Sequence, residues 1–145
     1  MDFNRLTQKA QEALGTAAES ARQRGNPEVY PEHLGLALLA QEFPSALLER
    51  AGLDIAALQR ELGAKLAERP AVQGGAQQQP RLSTAVADRL DAAEKEMAKL
   101  DDEYVSVEHI VLALGLGERD AVLAALGEIR GSQRVTSQNP EGTYD

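Results

Sequence analysis

The chain has no cysteine and no tryptophan, and only two phenylalanines and three tyrosines among 145 residues. Without cysteine there are no disulfides, thiolate metal sites, iron–sulfur clusters or cysteine nucleophiles, and such a composition suits a reducing compartment, so the expected location is cytoplasmic. So few aromatic rings leave little for stacking on bases or sugars, and the core must be built from aliphatic side chains. No apolar run approaches the roughly 18 residues of a membrane span, and the opening Met1-Asp2-Phe3-Asn4-Arg5 is too polar for a signal peptide. Basic charge is also scarce. The formal net charge is −8, with eight basic and ten acidic side chains in residues 1–70 against seven and thirteen in 71–145. Phosphate affinity comes from clustered Lys and Arg, so no nucleic-acid role is expected.

Leucine and alanine recur every three or four positions, and no segment keeps a period of two, so the expected fold class is all-α. Leu6, Ala10, Leu14, Ala17 and Ala21 mark one apolar stripe, and Leu82, Val86, Leu90, Ala93, Met97 and Leu100 mark another. Sliding the chain by 76 positions lays Leu6-Thr7 on Leu82-Ser83, Leu14 on Leu90 and Val29 on Val105. The same offset brings Glu32-His33-Leu34-Gly35-Leu36-Ala37-Leu38 onto Glu108-His109-Ile110-Val111-Leu112-Ala113-Leu114. The expectation is a pseudo-twofold duplication of a four-helix unit, with repeat one over about 4–67 and repeat two over about 81–130.

Punctuation divides each unit. Thr7 and Ser83 cap the long helices; Pro31 opens the next helix in the first unit and Ser106 its counterpart. Pro44 and Gly52 bracket a third helix, and Asp54 caps a fourth. In the second copy only Glu128-Ile129-Arg130 precede Gly131, so its last helix is missing or very short. Residues 68–80, with Gly74-Gly75 and Gln77-Gln78-Gln79, read as an exposed, mobile loop. Residues 131–145 lack apolar periodicity and read as a linker. The two long helices are expected to pack against each other.

Catalytic signatures are lacking: there is no phosphate-binding glycine loop with Lys, no nucleophile elbow and no Ser/His/Asp set, so no enzyme is expected. His33 and His109 read as partly buried helix-start residues rather than metal ligands. Asp88, Asp91, Glu94, Lys95, Glu96 and Lys99 read as a solvated helix face. The doubled hydroxyls and carboxylates, Thr7 with Glu32 and Ser83 with Glu108, are either caps or two copies of a polar recognition site.

The string Phe3-Asn4-Arg5-Leu6-Thr7-Gln8-Lys9-Ala10, the two Glu-His-apolar segments and the doubled unit resemble the Clp N-terminal domain, carried by the Clp ATPase chaperones, over residues 1–130. The string from Gly131-Ser132-Gln133-Arg134-Val135 to Asn139-Pro140-Glu141-Gly142-Thr143-Tyr144 is similar to the start of the flexible linker that joins this domain to the first ATPase module in the ClpB-type disaggregase branch. The resemblance implies a monomeric domain tethered to a hexameric AAA+ ring, with ATP and magnesium used by the parent and no cofactor or metal in this domain. It implies capture of unfolded or aggregated polypeptides through positions matching Thr7, Asp102 and Glu108 and an apolar groove including Leu90 and His109. A co-chaperone system of the Hsp70/DnaK type engages the parent elsewhere. The alternative implied by ClpC-type relatives is a receptor for phosphoarginine tags or adaptor proteins, using Thr7, Glu32, Ser83 and Glu108.

Overall fold

A computed structural model describes residues 1–72 and 79–141. It is all-α, with seven α-helices among the described residues: α1 (Gln8–Arg24), α2 (Pro31–Leu39), α3 (Glu42–Arg50), α4 (Ile55–Ala67), α5 (Thr84–Lys99), α6 (Val107–Leu114) and α7 (Arg119–Arg130). Helix starts follow the sequence's punctuation. The Thr7 and Ser83 hydroxyls accept the backbone N–H of Ala10 and Val86 at 3.2 and 3.1 Å, and Asp54 accepts that of Ala57 at 3.1 Å. Pro31 opens α2, where its missing N–H goes unneeded. Helix α3 starts two residues before Pro44, because a proline in the first turn removes only a donor that has no partner inside the helix.

Two extended dipeptides tie the halves together. Glu28–Val29 (β1) pairs in parallel with Arg81–Leu82 (β2), and Leu6 bridges Val105 in parallel. The Ser83 N–H donates to the Val29 carbonyl at 3.1 Å and the Thr7 N–H to the Val105 carbonyl at 2.9 Å. The 76-residue offset that aligns the sequence relates these two bonds to each other, partner for partner.

The packing departs from one expectation. Helix α1 packs mainly on α2 and α5 on α6, while the halves join through α2 against α6 and α3 against α7. An apolar stripe states which face is buried and not which helix covers it, so the stripes of α1 and α5 did not reveal their partners. Ala10, Ala13, Ala17 and Ala21 make the fully buried face of α1, and their small size permits close approach to α2. Leu34, Leu38, Leu47, Leu48, Val86, Leu90 and Ile110 fill the centre. Each such leucine contributes about 1.5–3 kcal/mol on leaving water. Glu96, expected on the solvated face of α5, is instead buried and holds the Arg119 guanidinium through both carboxylate oxygens, one contact at 2.7 Å. The arginine keeps its carboxyl below the ordinary range and makes the burial tolerable.

Helix α4 has no counterpart after α7 among the described residues. The described ends of the 68–80 loop are largely exposed, and its centre, 73–78, lies outside the described residues, as does 142–145 of the expected linker. The rest of that stretch is described. Residues 131–141 lie on the domain, with Val135 fully buried and Glu141 8% exposed. One aliphatic anchor and a set of backbone hydrogen bonds hold this tail.

Candidate functional site

The tail closes over a cluster built on the N-terminus of α6. The Ser106 N–H donates to His109 Nδ1 at 2.8 Å, so the ring carries a proton on Nε2 and directs it to Asp102 Oδ2, 2.7 Å away. Asp102 Oδ1 accepts from Arg130 at 2.6 Å and from the Val135 N–H at 2.9 Å. Burial pushes the Asp102 carboxyl up, but the bonds from His109, Arg130 and Val135 outweigh it and hold it at about 2. Arg130 also reaches Glu108 at 3.3 Å. Glu108 and His109 are fully buried.

Thr7 sits at the other edge. Its hydroxyl, besides capping α1, donates to Glu141 Oε2 at 2.7 Å, and the Val107 N–H, the first of α6, reaches the same oxygen at 3.3 Å. Burial raises the Glu141 carboxyl above its ordinary value, the neighbouring Glu108 adds to that, and the Thr7 and Val107 bonds oppose it.

A neutral counterpart occupies the first half. The Tyr30 N–H donates to His33 Nδ1 at 2.9 Å, and His33 Nε2 faces Asn26 Oδ1 at 2.9 Å. Asn26 stands 76 residues before Asp102. Its amide donates to the Pro70 carbonyl at 2.8 Å, in the stretch just after α4. Glu32 takes Arg69 at 2.8 and 3.2 Å, and Arg69 lies over the Tyr30 ring, 4.2 Å from its centroid. Burial, reinforced by the Arg24 charge, pushes the His33 ring down to about 4.

Of the sequence-predicted residues, Thr7, Asp102, Glu108 and His109 therefore meet around the α6 N-terminus. Leu90 does not join them in a groove: it is 1% exposed and belongs to the core. An amphipathic stripe cannot distinguish a core face from a groove wall, which explains the difference. His109 likewise braces the helix start and presents no groove surface. Glu32 and Ser83 lie at the opposite joint, where the Ser83 N–H donates to the Val29 carbonyl. Arg130, Val135, Glu141, Asn26 and Arg69 escaped the sequence reading, although the offset that pairs His33 with His109 also pairs Asn26 with Asp102.

An open depression of mixed leucine and charged lining lies elsewhere, between α4 and the turn after α6. Leu53, Leu58, Leu62, Leu114 and Leu116 line about 410 Å³, with Glu32, Glu61 and Lys65 at the rim. Among the described residues no group of three or more His, Cys, Asp or Glu is placed to hold a metal, and no helix is long and apolar enough to cross a membrane.

Fold and sequence together define a class: the chain belongs to the Clp repeat (R) N-terminal domain family, matched over residues 5–129. The match falls on that domain and not on an ATPase module. Relatives include the chaperone protein ClpB of Mycobacterium tuberculosis, 38% identical over 159 aligned residues that cover 99% of this chain. That of Nitratidesulfovibrio vulgaris is 40% identical over 167 residues and covers the whole chain. The chain spans only 19% of the length of either relative. Among solved structures, the Hsp104 N-terminal domain of Candida albicans superposes with a TM-score of 0.80 at 26% identity, covering 92% of this chain and 97% of that one. A ClpV N-domain in complex with a VipB peptide superposes with a TM-score of 0.67 at 25% identity, covering 87% and 79%.

Proposed function

We propose that this domain is the substrate-capture module of a ClpB-type ATP-dependent chaperone, binding unfolded or aggregated polypeptides for a cytoplasmic hexameric parent that uses ATP and magnesium. The observation that carries the reading is the open depression between α4 and the α6–α7 turn, where the half-buried Leu53, Leu58 and Leu114 come to the surface over the buried Leu62 and Leu116. A shallow apolar surface holds exposed hydrophobic segments weakly and with little sequence preference, which suits a module that must release its client. Affinity is expected at micromolar or weaker, about −8 kcal/mol. Glu61 in the lining and the net charge of −8 favour clients carrying Lys or Arg beside their apolar residues. Thr7, Asp102 and Glu108, buried beneath the tail, form a second, polar contact surface in this reading once the tail is displaced.

The experiment is binding of reduced, carboxymethylated α-lactalbumin, a permanently unfolded probe, by fluorescence anisotropy. Leu58→Ser, at a half-buried groove position, should weaken binding several-fold with only a modest loss of stability; unchanged binding removes the groove from the account.

A second reading, a receptor for phosphoarginine or adaptor proteins, draws on one observation. Glu32 and Glu108 each hold a guanidinium, while Thr7 and the Val107 N–H hold a carboxylate, so the two halves of a phosphoarginine each find matching chemistry. Shifts at Thr7, Glu32, Ser83 and Glu108 on adding phosphoarginine test it.

A further inference from the structure

The tail is bound in the manner of a ligand rather than folded in the manner of an element. Between residues 131 and 140 it has no helix or strand, yet Val135 is completely buried outside the main hydrophobic cluster. Its backbone is read from both sides: the Glu103 N–H donates to the Val135 carbonyl at 2.7 Å, and the Val135 N–H donates to Asp102 Oδ1 at 2.9 Å. Further on, the Gln8 N–H, the first of α1, donates to the Gln138 carbonyl at 2.8 Å. The Val107 N–H, the first of α6, and the Thr7 hydroxyl then converge on the Glu141 carboxylate. Two helix N-termini thus spend their unpaired donors on one polar segment.

Among the described residues the opposite half lacks this arrangement. Pro31 stands where Val107 stands and has no N–H to give, and Val72, whose N–H donates to the Gly25 carbonyl at 2.8 Å, is 54% exposed. The fit at Glu141 is also incomplete. Glu141 is 8% exposed, and its Oε1 has no hydrogen-bond partner, which leaves a buried acceptor unsatisfied for as long as the tail stays in place.

We infer that Val135–Glu141 is a built-in ligand. The surface of Thr7, Gln8, Asp102, Glu103 and Val107 accepts an extended segment with a small aliphatic residue followed six positions later by a carboxylate, and the chain's own tail excludes such segments from other chains. This rests on the capture reading only for the identity of the competing segment, a stretch of unfolded polypeptide. Because a docked tail hides the site, apparent affinity is set by the fraction of molecules with the tail released.

The test uses the 145-residue chain, its E141A variant and a V135S/E141A variant, with a synthetic peptide of residues 133–141 as probe and amide shifts as readout. The variants should lose protection from hydrogen exchange at the Gln8 and Val135 amides while keeping the core spectrum. The peptide should bind V135S/E141A at least tenfold more tightly than the parent chain, shifting Gln8, Glu103 and Val107, and a peptide with alanine in place of its glutamate should bind several-fold more weakly. E141A alone gives the same direction should the double variant fold poorly. Equal binding to parent and variants, or none to any, overturns the built-in ligand, as does core-like protection of the tail in E141A. If the peptide behaves as expected but reduced, carboxymethylated α-lactalbumin binds parent and E141A equally, the built-in ligand stands and capture at this polar surface falls.

Discussion

Two joints, 76 residues apart, do the same backbone task with different chemistry. In each, a residue with positive φ ends the long helix, a polar side chain follows, and a histidine at the third position of the next helix links that side chain to the helix cap. In the first half these are Gly25 (φ 73°), Asn26 and His33; in the second they are Asp101 (φ 59°), Asp102 and His109. Aspartate is among the few residues that tolerate the left-handed region, so the geometry survives the exchange of Gly for Asp. The exchange of Asn for Asp changes more. An amide next to a buried histidine needs only a carbonyl, here Pro70, whereas a buried carboxylate demands charge and donors, and Arg130 and the Val135 N–H answer that demand. Charge at one position therefore explains why the tail docks beside the second joint.

The largest test of the contrast is truncation. Asp102→Ala leaves the His109 Nε2–H and the Val135 N–H without their acceptor and Arg130 with Glu108 as its one remaining carboxylate among the described residues, and should cost about 3–5 kcal/mol by urea denaturation. Asn26→Ala should cost only about 1–3 kcal/mol; equal losses break the comparison. Next comes the core pair that the offset aligns. Leu90→Ala should cost about 2–5 kcal/mol, and Leu14→Ala less than half as much, because Leu14 is only half-buried. The caps follow: Ser83→Ala should cost about 1 kcal/mol, and Thr7→Ala more, since the Thr7 hydroxyl serves both α1 and Glu141.

Acid sharpens the comparison further. The His33 ring, held at about 4, stays uncharged in the folded state where the unfolded chain takes up a proton near its ordinary value of 6.5. Stability should thus fall as pH drops from about 6.5 to 4. Asp102, held at about 2 against an ordinary 3.8, adds a second loss over the lower part of that fall and below it. Glu141 runs the opposite way. Its raised carboxyl binds a proton more readily in the docked tail, so tail docking should weaken as pH rises through that folded value. Hydrogen exchange at the Val135 amide reads this separately from global unfolding. Asn26→Asp, which copies the second joint into the first, should raise the His33 value from about 4 by supplying a facing carboxylate; an unmoved histidine titration breaks the parallel.

Most of the fold was legible because helices announce themselves through periodicity and caps. Thr7, Ser83, Asp54 and Pro31 each stand at a helix start for a local reason that needs no knowledge of the rest of the chain. The site was legible in part. The family resemblance named Thr7, Asp102, Glu108 and His109 together, where the offset alone paired only Thr7 with Ser83, Glu32 with Glu108 and His33 with His109, and the stripe that carried Leu90 was equally consistent with core and groove. The tail left no trace, because docking through backbone N–H groups, one valine and one carboxylate produces no repeating pattern. The leucine-lined depression was equally silent, being formed by residues from three separated stretches of chain.

The most direct test of capture is a residue-resolved NMR titration of the 145-residue chain with reduced, carboxymethylated α-lactalbumin. The account predicts shifts at Leu58, Leu62 and Leu116 in the depression, joined by Gln8, Val107 and Val135 as the tail is displaced, with Asn26 and Ser83 unmoved. Shifts confined to Asn26 and Ser83, or no shifts at saturating probe, would contradict it.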